Sequence, residues 1–154
     1  MIIEVTGTLV IQPETREWCK LPYTGHPKGC PNYGISKECP PKIEKVNKIF
    51  NLSKKHWFAI EEFTNTCKKM LLLHKNWSQK QTKCCLYWQN SVRKKLKEQC
   101  LEFIYSHPNC IYTLIPEAMG INVFRTAYKH GIKINRNAYP IVYKIALIGE
   151  PFTV

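Results

Sequence analysis

Three cysteines, Cys19, Cys30 and Cys39, lie in a short stretch of the chain that is rich in proline and glycine. Residues 18–41 hold five prolines and three glycines, so this stretch is not expected to form a regular element. It also has few side chains with which to build a core. Thiolates that converge on a metal would order such a loop. Cys30 and Cys39 are each followed by proline, the pairing found at the end of ferredoxin cluster motifs.

The spacing Cys-x10-Cys-x8-Cys leaves the kind of metal open. A four-cysteine [4Fe–4S] cluster needs a fourth ligand from elsewhere in the chain, and Cys84 and Cys85 are the candidates. The three loop cysteines alone could hold a cluster with one open iron, which is able to bind a substrate. Zinc could instead be held by the loop cysteines together with His26, although the loop lacks the usual Cys-x2–4-Cys pair of a zinc knuckle.

Other residues that could do chemistry have simpler interpretations. Cys67 and Cys100 lie in helical patterns with apolar neighbours and are predicted to be core residues. Glu117 lies in a turn beside Pro116, where a helix-terminal charge or a turn residue is the ordinary interpretation. The sequence has no phosphate-cradling glycine loop and no Gly-x-Ser-x-Gly elbow, so the enzyme classes that depend on these motifs are set aside.

The length of 154 residues predicts one domain, residues 1–154, with residues 12–41 as a cysteine-rich metal-binding loop. No run of about 18 apolar residues is present, so we expect no membrane span and no membrane partner. The first residues do not resemble a signal peptide, which predicts a cytoplasmic protein. In that compartment, eight cysteines favour metal or redox chemistry over disulfides. The oligomeric state is not indicated.

The net charge of +12 favours nucleic acid or another polyanion as a partner. An AT-rich genome would also enrich lysine, so the composition alone leaves both explanations open. The longest predicted helix carries a basic stripe, from which Lys83, Arg93, Lys94 and Lys97 are the candidate nucleic-acid-binding residues.

Periodicity predicts an α+β or α/β fold with a small central sheet packed by one long helix and two or three shorter ones. The predicted strands cover residues 3–11, 57–60, 110–115 and 141–148, and the predicted helices cover residues 43–50, 65–75, 79–105 and 123–130. Ser78 and Gln81 predict a capping box at the start of the long helix, and Asn122 predicts the cap of the last helix.

The long helix should bury the face that carries Cys85, Val92, Leu96 and Phe103. Because this is the largest apolar surface available, we expect the cysteine loop to pack on it. Cys84 or Cys85 would then reach the centre held by the loop cysteines. The lysine stripe would face the other way, with only flanking residues such as Arg93 or Lys95 near both.

Gly29-Cys30-Pro31-Asn32-Tyr33-Gly34 with Cys39-Pro40-Pro41 resembles an uncharacterised family of small predicted metal-binding proteins of anaerobic bacteria, archaea and phages. Residues 83–89 and 116–123 resemble later motifs of that family, so the resemblance would cover most of the chain. It implies a cysteine-bound metal centre, of iron–sulfur type, and supplies no reaction.

Two functions follow as expectations. The first is a small iron–sulfur protein with redox or sulfur chemistry on a nucleotide or nucleic acid. The second is a non-enzymatic module in which zinc serves only to fold the loop and the lysines bind nucleic acid.

Overall fold

The computed structural model describes residues 1–22, 25–64, 72–83, 85–134 and 141–153, without the side chains of residue 83 and residues 85–88. Its strands are β1 (Ile2–Glu4), β2 (His56–Thr64), β3 (Ile111–Thr113) and β4 (Ile141–Gly149). They form an antiparallel sheet in the order β1-β2-β4-β3. Together with the helices described next, this sheet makes an α+β fold, as the sequence predicts.

The described helices include α1 (Val46–Ile49), α2 (Gln79–Lys83), α3 (Cys85–Ser106) and α4 (Val123–Tyr128). Two 3₁₀ helices, η1 (Pro13–Lys20) and η2 (Pro116–Met119), lie in the connections. The predicted capping box is confirmed, because the Ser78 amide donates to Gln81 Oε1 at 2.8 Å and the Gln81 amide donates to Ser78 Oγ at 3.2 Å. The cap of α4 is confirmed as well, since Asn122 Oδ1 accepts from the Arg125 amide at 3.0 Å.

β2 and β4 are the long central strands and pair from His56 opposite Gly149 to Thr64 opposite Ile141. Successive side chains point to opposite faces, so each strand supplies apolar residues to both sides of the sheet. Phe58 and Leu147 belong to one core cluster, whereas Ala59 and Ala146 belong to a second. Both faces must therefore be covered by other parts of the chain.

The two faces are covered by different segments. Helix α3 covers the second face, where its Leu96 and Cys100 are fully buried against Ala59, Ala146 and Ile148. The first face is covered by the segments that flank the cysteine loop and by the region from η2 to α4, through Val5, Val46, Phe50, Met119, Ile121 and Val123. The expectation that the cysteine loop packs on the long helix is therefore wrong, because the sheet already occupies the apolar face of that helix.

Several predicted elements are shorter than expected for local reasons. The first strand ends at Glu4 because Thr8 turns back on Val5, to whose carbonyl it donates from both its amide and its hydroxyl. Gly7 adopts a φ of 71° in that turn. The helix predicted over 43–50 is a single turn, Val46–Ile49. Most of the helix predicted over 65–75, including Cys67, lies outside the described residues.

No helix in the described part of the chain is long and apolar enough to cross a membrane.

His56 is a buried histidine at the start of β2. It is 1% exposed, and neither ring nitrogen has a hydrogen-bond partner among the described residues. Gly149 on β4 makes room for it, since a Cβ there would lie 2.7 Å from His56 Cδ2. Burial lowers the pKa of His56, while the backbone of Lys54 and the charge of Glu150 act in the opposite direction.

We predict that this histidine makes the fold less stable in mild acid. Below about pH 6.5 the unfolded chain takes up a proton that folded His56 resists, so the free energy of unfolding falls as the pH drops through that region. Thermal unfolding of His56→Leu between about pH 7.5 and pH 5 should show a flatter dependence than wild type. His107 is exposed, so His107→Leu should retain the wild-type slope. An unchanged slope in His56→Leu would assign the effect to other groups.

Candidate metal centre

The first part of the cysteine loop is docked on the region after β3. Thr15 of η1 is fully buried, and its hydroxyl donates to the carbonyl oxygen of Glu117 at 2.7 Å. The Gln12 amide donates to the Gly120 carbonyl at 2.7 Å, where Gly120 has a φ of 98°. These contacts hold the 3₁₀ helix that carries Cys19 against η2. The sequence predicted no regular element for the segment in which Cys19 lies, but the proline at the start of η1 is compatible with a helical first turn.

The loop then returns to Cys19. The Cys30 amide donates to the Cys19 carbonyl at 2.7 Å, so the backbones of these two cysteines are in direct contact. Gly29 makes this contact possible, because its φ is 85° and a Cβ on it would lie 2.6 Å from the Cys19 carbonyl oxygen. The turn that carries Gly29 starts at His26, whose carbonyl accepts from the Gly29 amide at 3.1 Å.

A series of turns connects Cys30 to Cys39. The backbone amide of Tyr33 donates to the Cys30 carbonyl at 3.2 Å, and that of Gly34 donates to the Pro40 carbonyl at 2.8 Å. The backbone amide of Cys39 donates to the Ser36 carbonyl at 3.2 Å. Arg16 of η1 fastens the far end of the loop, because its Nη2 atom donates to the carbonyls of Pro41 and Ile43 at 3.1 and 2.8 Å. The loop is therefore ordered by backbone hydrogen bonds and one arginine, in addition to anything that its thiols bind.

The Cys19 thiol is affected by burial and by neighbouring acidic groups. Burial is the largest cause that raises the pKa of Cys19 to about 11, and Cys30, Cys39 and Glu117 contribute in the same direction. Each of the three cysteines is half-buried and is a free thiol. Since Coulomb interactions weaken with distance, these contributions indicate that Cys30, Cys39 and Glu117 lie near Cys19.

Glu117 was interpreted from the sequence as a helix-terminal charge or a turn residue. Burial raises the pKa of its carboxyl, while the charge of Lys144 opposes that rise. Its position on η2, the element on which η1 is docked, brings it to Cys19. The sequence did not indicate that Glu117 lies near Cys19, because Thr15 and Glu117 come into contact through tertiary packing.

These groups lie near one another, but they do not form a complete coordination shell for a metal ion. Across the residues that the structure describes, no three His, Cys, Asp or Glu side chains are arranged so that they could hold a metal ion. Cys84 and the side chain of Cys85, the predicted fourth ligands, lie outside what is described, and so does the side chain of Lys83. The packing argument that brought them to the loop is wrong, for the reason given above.

Cys100 and Cys110 are core residues. Both are buried in the cluster between α3 and the sheet, and burial raises the pKa of Cys100 to about 12. The prediction that Cys100 packs in the core is therefore confirmed. Burial also raises the pKa of Cys110, with a smaller contribution from Glu150.

The basic residues of α3 line a cavity at the free edge of β3, which we call the edge cavity. Its volume is about 580 Å³, and it is lined by Glu38, Ile43, Asn90, Arg93, Lys94, Lys97 and residues 112–115. Among the described residues, Arg93, Lys94 and Lys97 form no ion pair with a carboxylate. Glu38 directly precedes Cys39, so this basic surface lies beside the cysteine loop. The expectation that Lys94 and Lys97 face away from the loop is wrong, because α3 and the loop meet around the β3 edge.

No family model, curated protein or solved structure matches this chain. The resemblance to small predicted metal-binding proteins therefore stays a prediction.

We predict that Gly29→Ala disrupts the site far more than Gly34→Ala. Both glycines have positive φ, at 85° and 74°, but a Cβ at Gly34 would meet nothing within 4 Å. Gly34→Ala should cost about 1 kcal/mol of stability from backbone strain alone. Gly29→Ala should cost about 1–3 kcal/mol more, because its Cβ would meet the backbone of Cys19 and Lys20. Denaturant unfolding of both variants measures the difference, and equal losses would contradict the close contact between Cys19 and Cys30.

Proposed function

We propose that this protein binds an iron–sulfur cluster through Cys19, Cys30 and Cys39 and uses it in redox or sulfur chemistry on an anionic ligand. The observation that carries the proposal is the backbone contact between Cys19 and Cys30, which turns a segment rich in proline and glycine back onto its first cysteine. A loop closed in this way can present several thiols to one centre without help from a regular element.

The chemistry of the donor set supports the proposal. Cys19 lies near Cys30, Cys39 and Glu117, and its raised pKa means that its deprotonation is costly unless a cation compensates it. Thiolates are the usual protein ligands of iron–sulfur clusters. A bound cluster would supply electron transfer or, with one iron free of protein thiolate, a place for sulfide or substrate. We expect a cytoplasmic location, where free thiols persist.

Glu117 is our candidate for the fourth group at the centre. It lies near Cys19, and burial raises the pKa of its carboxyl in spite of the opposing charge of Lys144. A carboxylate there would leave the cluster less tightly closed than four thiolates would. Cys84 and Cys85 stay predicted alternatives for the same role.

The edge cavity is our candidate for the anionic ligand. Arg93, Lys94 and Lys97 supply positive charge in a concave space whose size suits a small phosphorylated molecule such as a nucleotide. Asn90 and the residues at the end of β3 add hydrogen-bonding groups. The position of Glu38 next to Cys39 connects the cavity to the metal loop along the chain.

We predict that Cys30→Ser and Cys39→Ser lose their bound iron and sulfide and unfold at lower temperature than wild type. Each protein would be purified without oxygen, and iron, sulfide and zinc would be measured per chain together with the visible absorption spectrum. A brown wild-type protein with stoichiometric iron and sulfide supports the proposal.

Cys100→Ala is the matched control, because it removes one buried thiol outside the loop. It should keep its metal content and cost about 1–2 kcal/mol of stability. A colourless wild-type protein with one zinc per chain would replace the iron–sulfur proposal with a zinc-stabilised module. Full metal content in both serine variants would overturn the ligand assignment altogether.

The fourth ligand can be identified separately. We predict that Glu117→Gln lowers the affinity or changes the spectrum of the bound centre, since an amide replaces the carboxylate at nearly constant size. Cys84→Ser and Cys85→Ser provide the comparison in the same assay. If either serine variant loses the centre and Glu117→Gln does not, the fourth ligand comes from the long helical region instead of η2.

A further inference from the structure

A second concave basic surface lies around α4. This surface, the α4 cavity, has a volume of about 630 Å³. It is lined by Val10, Phe124, Arg125, Tyr128, Lys129, Lys133 and Ile134. Three of these residues are cations and two are aromatic, and none carries a carboxylate.

Helix α4 is held in place by its buried side, and Arg125 and Tyr128 lie on its exposed side. Thr126 lies on its buried side, where its hydroxyl donates to the Asn122 carbonyl at 2.9 Å and accepts from the Val10 amide at 3.0 Å. Val123 and Ala127 are buried in the same direction. The opposite side carries Arg125, Tyr128 and Lys129, three and four residues apart, which places them next to one another.

Tyr128 is the unusual member of this surface. Its side chain is 72% exposed, although its neighbour Phe124 packs at 5.6 Å from the ring of Trp18. In the described part of the chain, Arg125, Lys129 and Lys133 form no ion pair with a carboxylate. Lys129 makes only a long contact of 3.4 Å with the Thr8 carbonyl. The surface thus combines uncompensated positive charge with an available aromatic face.

We propose that the α4 cavity binds single-stranded nucleic acid, with a base stacked on Tyr128 and the backbone phosphates held by Arg125, Lys129 and Lys133. Cations along a groove attract phosphates, and an exposed aromatic ring gives an unpaired base a place to stack. A duplex would keep its bases stacked inside and could not use Tyr128. The six residues of α4 are also too few to read a major groove as a recognition helix does. The proposal is independent of the metal centre.

The test uses fluorescence anisotropy with a labelled oligo(dT) of about a dozen nucleotides, at several salt concentrations between about 50 and 200 mM. Tyr128→Ala should weaken binding about tenfold, while Tyr128→Phe should keep it near wild type because the ring is retained. Tyr105 is 92% exposed on α3 and belongs to neither cavity, so Tyr105→Ala is the matched control and should bind like wild type.

The contribution of positive charge to binding is tested with two double lysine variants. Lys129→Gln with Lys133→Gln should weaken binding and reduce the slope of log affinity against log salt by about 1.4, as expected for two lost phosphate contacts on a single strand. Lys45→Gln with Lys48→Gln removes the same charge from exposed positions that line neither cavity, and it should leave that slope near the wild-type value.

Three results would overturn the proposal. They are equal losses in Tyr128→Ala and Tyr105→Ala, equal effects of the two lysine pairs, or a duplex of the same length that binds as tightly as the single strand. Because Tyr128 is exposed, far-ultraviolet circular dichroism and melting of its variants should match wild type, which separates a binding defect from a folding defect.

Discussion

The pairing of β2 with β4 is the constraint on which the rest of the structure depends. The two strands pair along their whole length and carry apolar side chains on both faces, so neither face can be left to solvent. Helix α3 covers one face. The other face is covered by the chain around the cysteine loop, by η2 and by α4. In the described part of the chain, the loop and the long helix lie on different sides of the sheet and approach each other around its edge at β3, where the edge cavity lies.

Local signals in the sequence predicted many of the elements that the structure describes, but not their arrangement. Ser78 with Gln81 and Asn122 with Arg125 act within one turn of chain, so their caps could be predicted. The alternation of Phe58 and Ala59 between two cores also follows from strand geometry. The face of the sheet on which α3 packs does not follow from its own pattern, because Leu96 and Cys100 would pack equally well on a loop or a sheet. The wrong placement of the loop came from that ambiguity.

In the candidate site too, the sequence was sufficient to select some residues but not others. Cys19, Cys30 and Cys39 could be selected from their spacing and from the scarcity of core residues around them. Glu117 could not, because it reaches Cys19 through the hydrogen bond of Thr15 with the η2 backbone, a contact between residues about one hundred positions apart. The basic residues of the α4 cavity were missed for a related reason. Arg125, Lys129 and Lys133 are ordinary in the sequence, and the burial of Val123, Thr126 and Ala127 places Arg125 and Lys129 on the surface that Lys133 also lines.

The cysteine loop has a short link to each of the two basic cavities. Glu38 of the edge cavity precedes Cys39, and Phe124 of the α4 cavity contacts Trp18, which precedes Cys19. Burial and the neighbouring acids raise the pKa of Cys19, and burial raises that of Glu117, so both groups are costly to ionise without a compensating cation. The proposed metal centre would supply that cation, and the proposed anionic ligands would compensate the cations of the two cavities.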